Sequence, residues 1–473
     1  MTVSRFRLTR LWAVGTVVFA ITAAPACGHS AAPPPATGTP TTTVATTASP
    51  TPVVAEVIPS GDFSPVSRLV EKAVAAQRLP GAVVQVGHAG NVVFRQAFGS
   101  RKLAGEPGLD GAPAPAEPMT EDTIFDVASL TKSLATATAV LQLYEQGQVR
   151  IDEPVQTYLP AFNPADDPRR ARVTLRMLLT HTSGIAGDLS LDGPWGLDEA
   201  DKAQGIRRAL AAWVVFDPGE LFHYSDINFI ILGAVLEQLT GETEDVYVHE
   251  NVLVPLDMWD TRYLPATKAC GPHRIRGTAI VPDPNGAQVN GCPAGTWSTD
   301  LLPRIAPTAL DEDTPGLNPH YGHPLRGTVH DPTARRMGGV AGSAGVFTTV
   351  HDMGRFAQAL LDRLAGRPSP FPLARSTVEL MTTPQQPAPA KPDLRGFGWD
   401  IDTAHSGPRG SVFPVGSFGH TGFTGVTLWM DPGSNTYVVV LANVIHQRGG
   451  PPVTALSGEV ATETARALHL YDN

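Results

Sequence analysis

The sequence predicts an α+β fold, in which one antiparallel sheet is assembled from both ends of the folded region and is flanked by helices. Two hairpins support this prediction, one joining 82–86 to 92–98 and one joining 426–430 to 437–442, each through a glycine-containing turn. The long stretch between the hairpins carries helical periodicity, which indicates a mainly helical subdomain inserted between the two halves of the sheet.

The predicted elements follow in order within a single domain that is expected to span residues 61–470. Helices are predicted where apolar residues recur at steps of three and four. The predicted helices are 66–77, 134–144, 175–180, 206–213, 227–239 and 453–468. A Pro- and Gly-rich stretch at 265–340 lacks either period and is predicted to be an irregular insert.

Residues 1–26 have the features of a secretory signal peptide. Three arginines precede an apolar run over 11–24, which is too short for a comfortable membrane span and ends at a small-residue cleavage pattern. The next residue, Cys27, resembles the lipidated cysteine of bacterial lipoproteins, although Ala24 stands where leucine is usual. We therefore expect an exported protein, either anchored to the outer face of the cell membrane through lipid on Cys27 or secreted.

Residues 27–60 are dominated by Ala, Pro and Thr and have little apolar surface to bury. This segment is predicted to be an extended tether. Beyond it, Cys270 and Cys292 remain as a pair if Cys27 carries lipid. An oxidising compartment would allow these two to form a disulfide, and the alternative is two unpaired thiols.

The composition also narrows the class of protein. The 473 residues are 42% hydrophobic, as in a globular domain, and their net charge of −10 argues against nucleic acid as a partner. The sequence contains no zinc-type Cys/His cluster, Walker loop or dinucleotide fingerprint, so neither a metal nor another cofactor is expected.

One pair of residues gives the first chemical signal. Ser129 and Lys132 are three apart at the start of a predicted helix, so their side chains share one face. A lysine amine that has lost its proton can accept one from a serine hydroxyl, which makes the serine a nucleophile. The helix N-terminus favours a developing oxyanion. The spacing alone also occurs by chance on solvated helices, so its interpretation depends on the other motifs.

Two further motifs follow in order along the chain. After Ser129-Leu130-Thr131-Lys132 come Tyr224-Ser225-Asp226 and His420-Thr421-Gly422. Together they resemble the Ser-x-x-Lys, Tyr-x-Asn and Lys/His-Thr-Gly motifs of the serine β-lactamase, penicillin-binding protein and family VIII esterase superfamily. The resemblance covers about residues 65–468 and implies a β-lactamase/DD-peptidase-like fold and a serine hydrolase that forms an acyl-enzyme.

A closer resemblance is to the D-alanyl-D-alanine carboxypeptidase-like serine hydrolases related to penicillin-binding protein 4B. Members of that branch also carry Tyr-Ser-Asp, an Arg-Ile-Ala-Pro-Thr stretch, here at 304–308, and a Gly-x-Val-His-Asp stretch, here at 327–331. Some are linked to the turnover of cell-wall muropeptides.

The resemblance assigns a role to each motif. Ser129 is expected to attack the acyl carbonyl, while Lys132 and Tyr224 share the proton transfers. The backbone N–H groups of Ser129 and Phe423 are expected to form the oxyanion hole. The substrate is expected to lie along the strand that carries Thr421 and Gly422, and glycines at 422 and 425 would allow its close approach.

Two residues depart from the family pattern. Asp226 stands where asparagine binds the substrate amide, and its carboxylate is expected to keep Lys132 protonated, which makes Tyr224 the stronger general base. His420 replaces lysine and leaves less positive charge for a substrate carboxylate. That change disfavours β-lactams and D-Ala-D-Ala peptides and leaves esters and amides without a terminal carboxylate as substrates. His330 either reaches the pocket or braces the insert.

The sequence leaves several functions open. The leading prediction is a carboxypeptidase or amidase acting on peptidoglycan-derived peptides, or a carboxylesterase. The alternatives are a penicillin-binding sensor that is acylated without useful turnover and a weak β-lactamase, for which no residue that activates the deacylating water is evident.

Overall fold

The computed structural model describes residues 55–58, 60–286, 289–390, 392–443 and 453–472. Its strands, in chain order, are β1 (Gly81–His88), β2 (Asn91–Lys102), β3 (Glu117–Pro118), β4 (Phe125–Asp126), β5 (Arg262–Tyr263), β6 (Ala269–Cys270), β7 (His273–Arg276), β8 (Ala279–Pro282), β9 (Trp297–Ser298), β10 (Val346–Thr348), β11 (Leu394–Arg395), β12 (Asp400–Asp402), β13 (Phe418–Gly422), β14 (Val426–Asp431) and β15 (Thr436–Ala442).

The central sheet has eight strands in the order β11-β12-β13-β14-β15-β1-β2-β3. The two ends of the domain meet where β1 pairs antiparallel with β15, with Val84 opposite Val440. Strand β15 is rich in valine and is buried along its whole length, as expected of a central strand covered on both faces. The sheet therefore joins both ends of the chain, as predicted, and the α+β fold class is confirmed.

Helices cover both faces of this sheet. In chain order they are α1 (Ser64–Ala75), α2 (Thr138–Glu145), α3 (Leu175–Leu179), α4 (Lys202–Ala211), α5 (Asp226–Thr240), α6 (Glu244–Val248), α7 (Pro332–Arg336), α8 (Val350–Leu364), α9 (Arg375–Thr382) and α10 (Val453–Ala467). On one face, α1 and α10 bury Val66, Val70 and Val460 against the sheet. On the other face, α8 and the helical subdomain around α2 and α5 form the larger apolar core.

Each predicted helix is present, with shifted ends. Helix α4 begins at Lys202, earlier than predicted, because the Asp201 side chain caps it by accepting a hydrogen bond from the Gln204 N–H. It ends before Trp213, whose side chain is exposed. Helix α8 was not predicted, although its buried Met353, Phe356 and Leu360 lie at the three- and four-residue steps of an amphipathic helix.

The insert at 265–340 is mostly irregular and contains the short hairpin β7–β8 and the parallel pair β6–β9. A disulfide joins Cys270 to Cys292, with 5.7 Å between the Cα atoms and a sequence separation of 22 residues. Closing a loop of this length stabilises the folded state by about 3 kcal/mol in the chain-entropy model. The bridge thus supplies stability to a segment that has little regular structure.

The predicted signal peptide at 1–26, Cys27 and the predicted tether up to residue 54 lie outside the described residues. The end of the predicted tether is not free, because the Ile58 N–H donates to the Val92 carbonyl oxygen at 2.7 Å, beside β2. None of the helices that the structure describes combines the length and apolarity needed to cross a membrane.

Candidate active site

Ser129 lies in a tight turn between β4 and the first helix of the helical subdomain. The residue before it, Ala128, has a left-handed backbone with φ of 45°. Its N–H donates to the Asp126 carboxylate at 2.9 Å, and the His330 N–H donates to the same carboxylate at 2.7 Å. A buried carboxylate thus ties the strained turn to the insert, as is common where a reactive side chain must be held in place.

The helix after Ser129 differs from the prediction in its first turns. Residues Lys132–Ala137 form a π-helix, and regular α-helix begins only at Thr138. The wide turn is closed by the Thr138 hydroxyl, which donates to the Ser133 carbonyl oxygen five residues earlier. Ser129 and Lys132 still face each other, because the Lys132 Nζ lies 2.9 Å from the Ser129 Oγ. A π-helical turn within an α-helix is often found at a functional site.

Lys132 is fully buried among oxygen atoms. Besides contacting Ser129, its Nζ donates a hydrogen bond to the Ser343 carbonyl oxygen at 2.9 Å. It also forms an ion pair with the Asp226 carboxylate at 2.7 Å, in a geometry that is not that of a hydrogen bond. Burial by itself lowers the pKa of Lys132, but Asp226 and Tyr224 outweigh it, so the pKa is raised. Lys132 is therefore an ammonium at neutral pH, in line with the expected effect of Asp226.

Tyr224 immediately precedes α5, and the side chain of the next residue, Ser225, caps that helix. The Tyr224 ring stacks on His181 with 4.3 Å between centroids, and its centroid lies 5.2 Å from the Lys132 Nζ. Burial raises the pKa of Tyr224. The charge of Lys132 lowers it, as do the hydrogen bonds of the phenol with Ser129 and Lys132, whereas the nearby Asp226 carboxylate raises it further. The phenol therefore keeps its proton at neutral pH, and the greater strength of Tyr224 as a base relative to Lys132 stays a prediction.

His181 has a structural role. Its Nδ1 accepts a hydrogen bond from the Ser225 N–H at 3.1 Å, which orients the turn that presents Tyr224. Ser343, whose hydroxyl is buried, contributes its backbone carbonyl oxygen to the site through Lys132.

Strand β13 forms the wall opposite Tyr224 and carries His420, Thr421 and Gly422. A Cβ atom at Gly422 would lie 2.4 Å from the Val127 carbonyl oxygen. Glycine is therefore required by packing against the turn that holds Ser129, and the approach of substrate to this strand stays a prediction. Gly425 has φ of 104° and closes the turn to β14, which is the reason for glycine there.

The two expected oxyanion donors lie at this junction. Ser129 and Phe423 both line the pocket. Within the described residues, no protein acceptor takes the backbone N–H of either one. The Phe423 ring is 73% exposed and stacks on His330 with 5.8 Å between centroids. Two unused N–H groups beside a serine hydroxyl are what an oxyanion hole requires.

These side chains surround a pocket of about 410 Å³. One wall is acidic, with Asp188, Asp226 and Asp331. Burial and then Asp226 raise the pKa of Asp331 to about 7. The insert supplies His330 and Asp331 to this pocket and so forms part of its wall. Of the two roles considered for His330, reaching the pocket is the one that the structure shows.

The pocket is also lined by a cation that the sequence analysis missed. Arg395, on β11, is buried to 1% exposure, yet it lines the pocket beside His405 and His420. None of its three guanidinium nitrogens has a hydrogen-bond partner, and its ion pair with Asp400 is long, at 3.5 Å. No sequence signal pointed to Arg395, because it lies outside the three motifs and only the sheet brings it next to His420.

The sheet, the helical subdomain and the Ser129–Lys132–Tyr224 cluster define a serine hydrolase related to β-lactamases and penicillin-binding proteins. The family model described as Beta-lactamase matches residues 66–455. The chain belongs to this family.

Three known proteins are similar to this chain. A protein of Escherichia coli O157:H7 with the provisional name D-alanyl-D-alanine carboxypeptidase is 29% identical over 387 residues, or 79% of this chain and 80% of the relative. The N-acetylmuramyl-L-alanine amidase of Bacillus subtilis (strain 168) is 29% identical over 396 residues, or 80% of each chain. The solved structure of simvastatin synthase from Aspergillus terreus has the same fold, with a TM-score of 0.60, 22% identity and coverage of 85% of this chain and 97% of that one.

Proposed function

We propose that this protein is a carboxypeptidase that acts on cell-wall peptides, forming an acyl-enzyme on Ser129 and releasing a residue with a free carboxylate. The observation that carries this proposal is the guanidinium of Arg395, which is buried, has no hydrogen-bond partner for its nitrogens and belongs to a side chain that lines the pocket of the nucleophile, with a long ion pair to Asp400. A buried charge without hydrogen-bond partners is costly, so a site that keeps one is expected to bind the opposite charge.

Arg395 changes the conclusion drawn from His420 alone. Loss of the family's lysine at position 420 removes one positive charge from β13, but Arg395 provides another in the lining of the same pocket. A planar guanidinium binds a carboxylate through two parallel hydrogen bonds, more specifically than an ammonium does. Asp400 balances part of its charge, but at 3.5 Å it leaves the N–H donors available to a ligand.

The acylation step follows from the contacts of Ser129. Its Oγ attacks the carbonyl carbon, and its proton passes through Lys132 and Tyr224 to the leaving amine. The negative charge that develops on the carbonyl oxygen is stabilised by the N–H groups of Ser129 and Phe423. Because both Lys132 and Tyr224 hold protons in the resting enzyme, acylation depends on a minor protonation state of this pair.

The test compares two substrates that differ only at the C-terminus, diacetyl-L-Lys-D-Ala-D-Ala and its C-terminal amide. The wild type is expected to prefer the carboxylate, and Arg395→Met combined with Asp400→Asn is expected to lose about 10²-fold in kcat/KM for the carboxylate only, as for a lost charged hydrogen bond. The double change avoids an unpaired Asp400. Hydrolysis of p-nitrophenyl acetate, which has no carboxylate, is the control. Equal kcat/KM for the two peptides in the wild type would contradict the proposal.

A penicillin-binding sensor is the second candidate. The same raised pKa values that keep Lys132 and Tyr224 protonated leave neither ready to activate water, and a persistent acyl-enzyme would follow. Turnover of diacetyl-L-Lys-D-Ala-D-Ala, followed together with the intact mass of the protein, separates the two, because an enzyme releases the peptide acyl group from Ser129 repeatedly and a sensor retains an acyl group there.

We also propose that the protein works outside the cell, on a lipid anchor. The proposal is supported by the signal-peptide pattern, by Cys27 and by the tether that follows. Expression of the full chain with labelled palmitate is expected to label the wild type and leave Cys27→Ser unlabelled. A membrane-free, unlabelled wild type that is secreted would exclude the anchor.

A further inference from the structure

Thr424 forms a hydrogen bond between the two segments that supply the expected oxyanion donors. Its side chain is buried, and its hydroxyl donates to the Asp126 carbonyl oxygen at 2.7 Å. Thr424 directly follows Phe423, and Asp126 lies three residues before Ser129. The two bonded residues are 298 positions apart in the sequence, so only the folded protein brings the two donors' segments together at this point.

A second contact lies on the other side of Phe423. Gly422 packs so closely on Val127 that a Cβ atom at position 422 would lie 2.4 Å from the Val127 carbonyl oxygen. The residues before and after Phe423 are therefore both held against the segment that leads to Ser129. These two contacts fix the position of the Phe423 backbone N–H relative to that of Ser129.

The carboxylate of Asp126 holds the segment of the other donor. One oxygen accepts a hydrogen bond at 2.9 Å from the N–H of Ala128, the residue directly before Ser129. The second oxygen accepts from the His330 N–H at 2.7 Å, and the His330 ring stacks on the Phe423 ring. Asp126 thus holds the Ser129 side through its carboxylate and the Phe423 side through its carbonyl oxygen.

We propose that Thr424 and Asp126 are positioning residues that set the oxyanion hole, by holding the N–H groups of Ser129 and Phe423 where the oxyanion of a tetrahedral intermediate forms. The inference rests on the proposed function, since it requires acyl transfer to Ser129. Both residues act through the backbone of their neighbours. Donors that are already in place stabilise the developing charge without rearranging during the reaction, so a small displacement of either one lowers the rate.

A buried threonine also satisfies its hydroxyl where it has no part in a reaction. Thr427, three residues further along the same hairpin, is an example. It is buried like Thr424, but its hydroxyl donates to the Ser457 hydroxyl on α10, at 3.1 Å. Thr427 is therefore the matched control, because it has the same residue type and burial but a bond to a different part of the molecule.

The test compares p-nitrophenyl acetate with p-nitrophenyl thionoacetate, in which sulfur replaces the carbonyl oxygen. Sulfur is larger than oxygen and accepts hydrogen bonds poorly, so a well-placed oxyanion hole favours the oxygen ester. The readout is the ratio of the two kcat/KM values, each corrected for uncatalysed hydrolysis. Both values come from one sample of the full chain, so the ratio does not depend on how much of the protein is folded.

Thr424→Val keeps the shape of the side chain and removes its donor. We expect the ratio to fall about 10-fold, because loss of a whole oxyanion donor costs about 10²–10³-fold in kcat and this change only displaces one. Thr424→Ser keeps the hydroxyl and should restore the ratio of the wild type. Thr427→Val should also have the wild-type ratio, whatever its Tm.

Asp126→Asn tests the other link and does not depend on the folding of Thr424→Val. An amide has one acceptor oxygen where a carboxylate has two, so the N–H of Ala128 or of His330 loses its partner. The ratio is expected to fall in this variant as well.

The outcomes separate this inference from the proposed function. A wild-type ratio in Thr424→Val overturns the inference, and so does a wild-type ratio in Asp126→Asn if the valine variant does not fold. An equal fall in Thr427→Val, or a wild type that does not prefer the oxygen ester, overturns it too. Ester hydrolysis that survives Ser129→Ala overturns the acyl-enzyme itself, whereas equal rates for the two peptides overturn only the proposed substrate.

Discussion

Replacing Lys132 with methionine is expected to lower kcat/KM by about 10²–10⁴-fold, the range for loss of a group that transfers protons in the transition state. Lys132 contacts the Ser129 Oγ at 2.9 Å, and it also provides the positive charge beside Tyr224. Methionine has a similar volume but neither charge nor proton, so Ser129 loses its proton carrier while the packing around it is kept.

The change also leaves the Asp226 carboxylate without its cation, so a loss of folding has to be separated from a loss of chemistry. The double variant Lys132→Met with Asp226→Asn removes that unpaired charge and is expected to recover the Tm of the wild type but not its activity. Rates of acylation by a penicillin, measured by intact mass, and thermal melts of the same samples provide both readouts. Activity of the double variant near that of the wild type would show that Lys132 is not in the proton path.

Replacing Asp226 with asparagine is expected to move the acid limb of kcat/KM to lower pH by about one to three units, the usual effect of an opposite charge within contact distance. The carboxylate favours the ammonium of Lys132 and disfavours the phenolate of Tyr224, so it raises the pKa of both. Its removal lowers both pKa values. The deprotonated form of the pair then exists at lower pH, and acylation at neutral pH becomes faster.

Asp188→Asn is the matched control for this experiment. Asp188 lines the same acidic wall, and burial followed by Asp226 raises its pKa, but it makes no ion pair with Lys132. Its replacement should leave the limb within a few tenths of a unit of its original position. An acid limb that is identical in Asp226→Asn and the wild type would mean that the 2.7 Å pair does not control the base.

The helices and hairpins were predictable because their periodicity is local. Apolar residues at steps of three and four are present in the sequence whatever the rest of the chain does. The ends of the helices were less predictable, since they depend on capping side chains such as Asp201. The π-helical start after Ser129 was not predicted from periodicity, and the contacts of its first residue, Lys132, with Ser343 and Asp226 come from segments far away in the sequence.

By itself, the sequence determined the α+β fold class, the order of the three motifs and the pairing of Ser129 with Lys132, since each is a matter of residue type and short spacing. Tertiary structure alone decided which charges share the pocket. Arg395 and His420 lie 25 positions apart in the numbering and come together because β11 and β13 flank β12 in one sheet. The protonation of Lys132, Tyr224 and His420 likewise depends on burial and on partners from distant segments. These determine the pKa of each group, and no single stretch of sequence contains them.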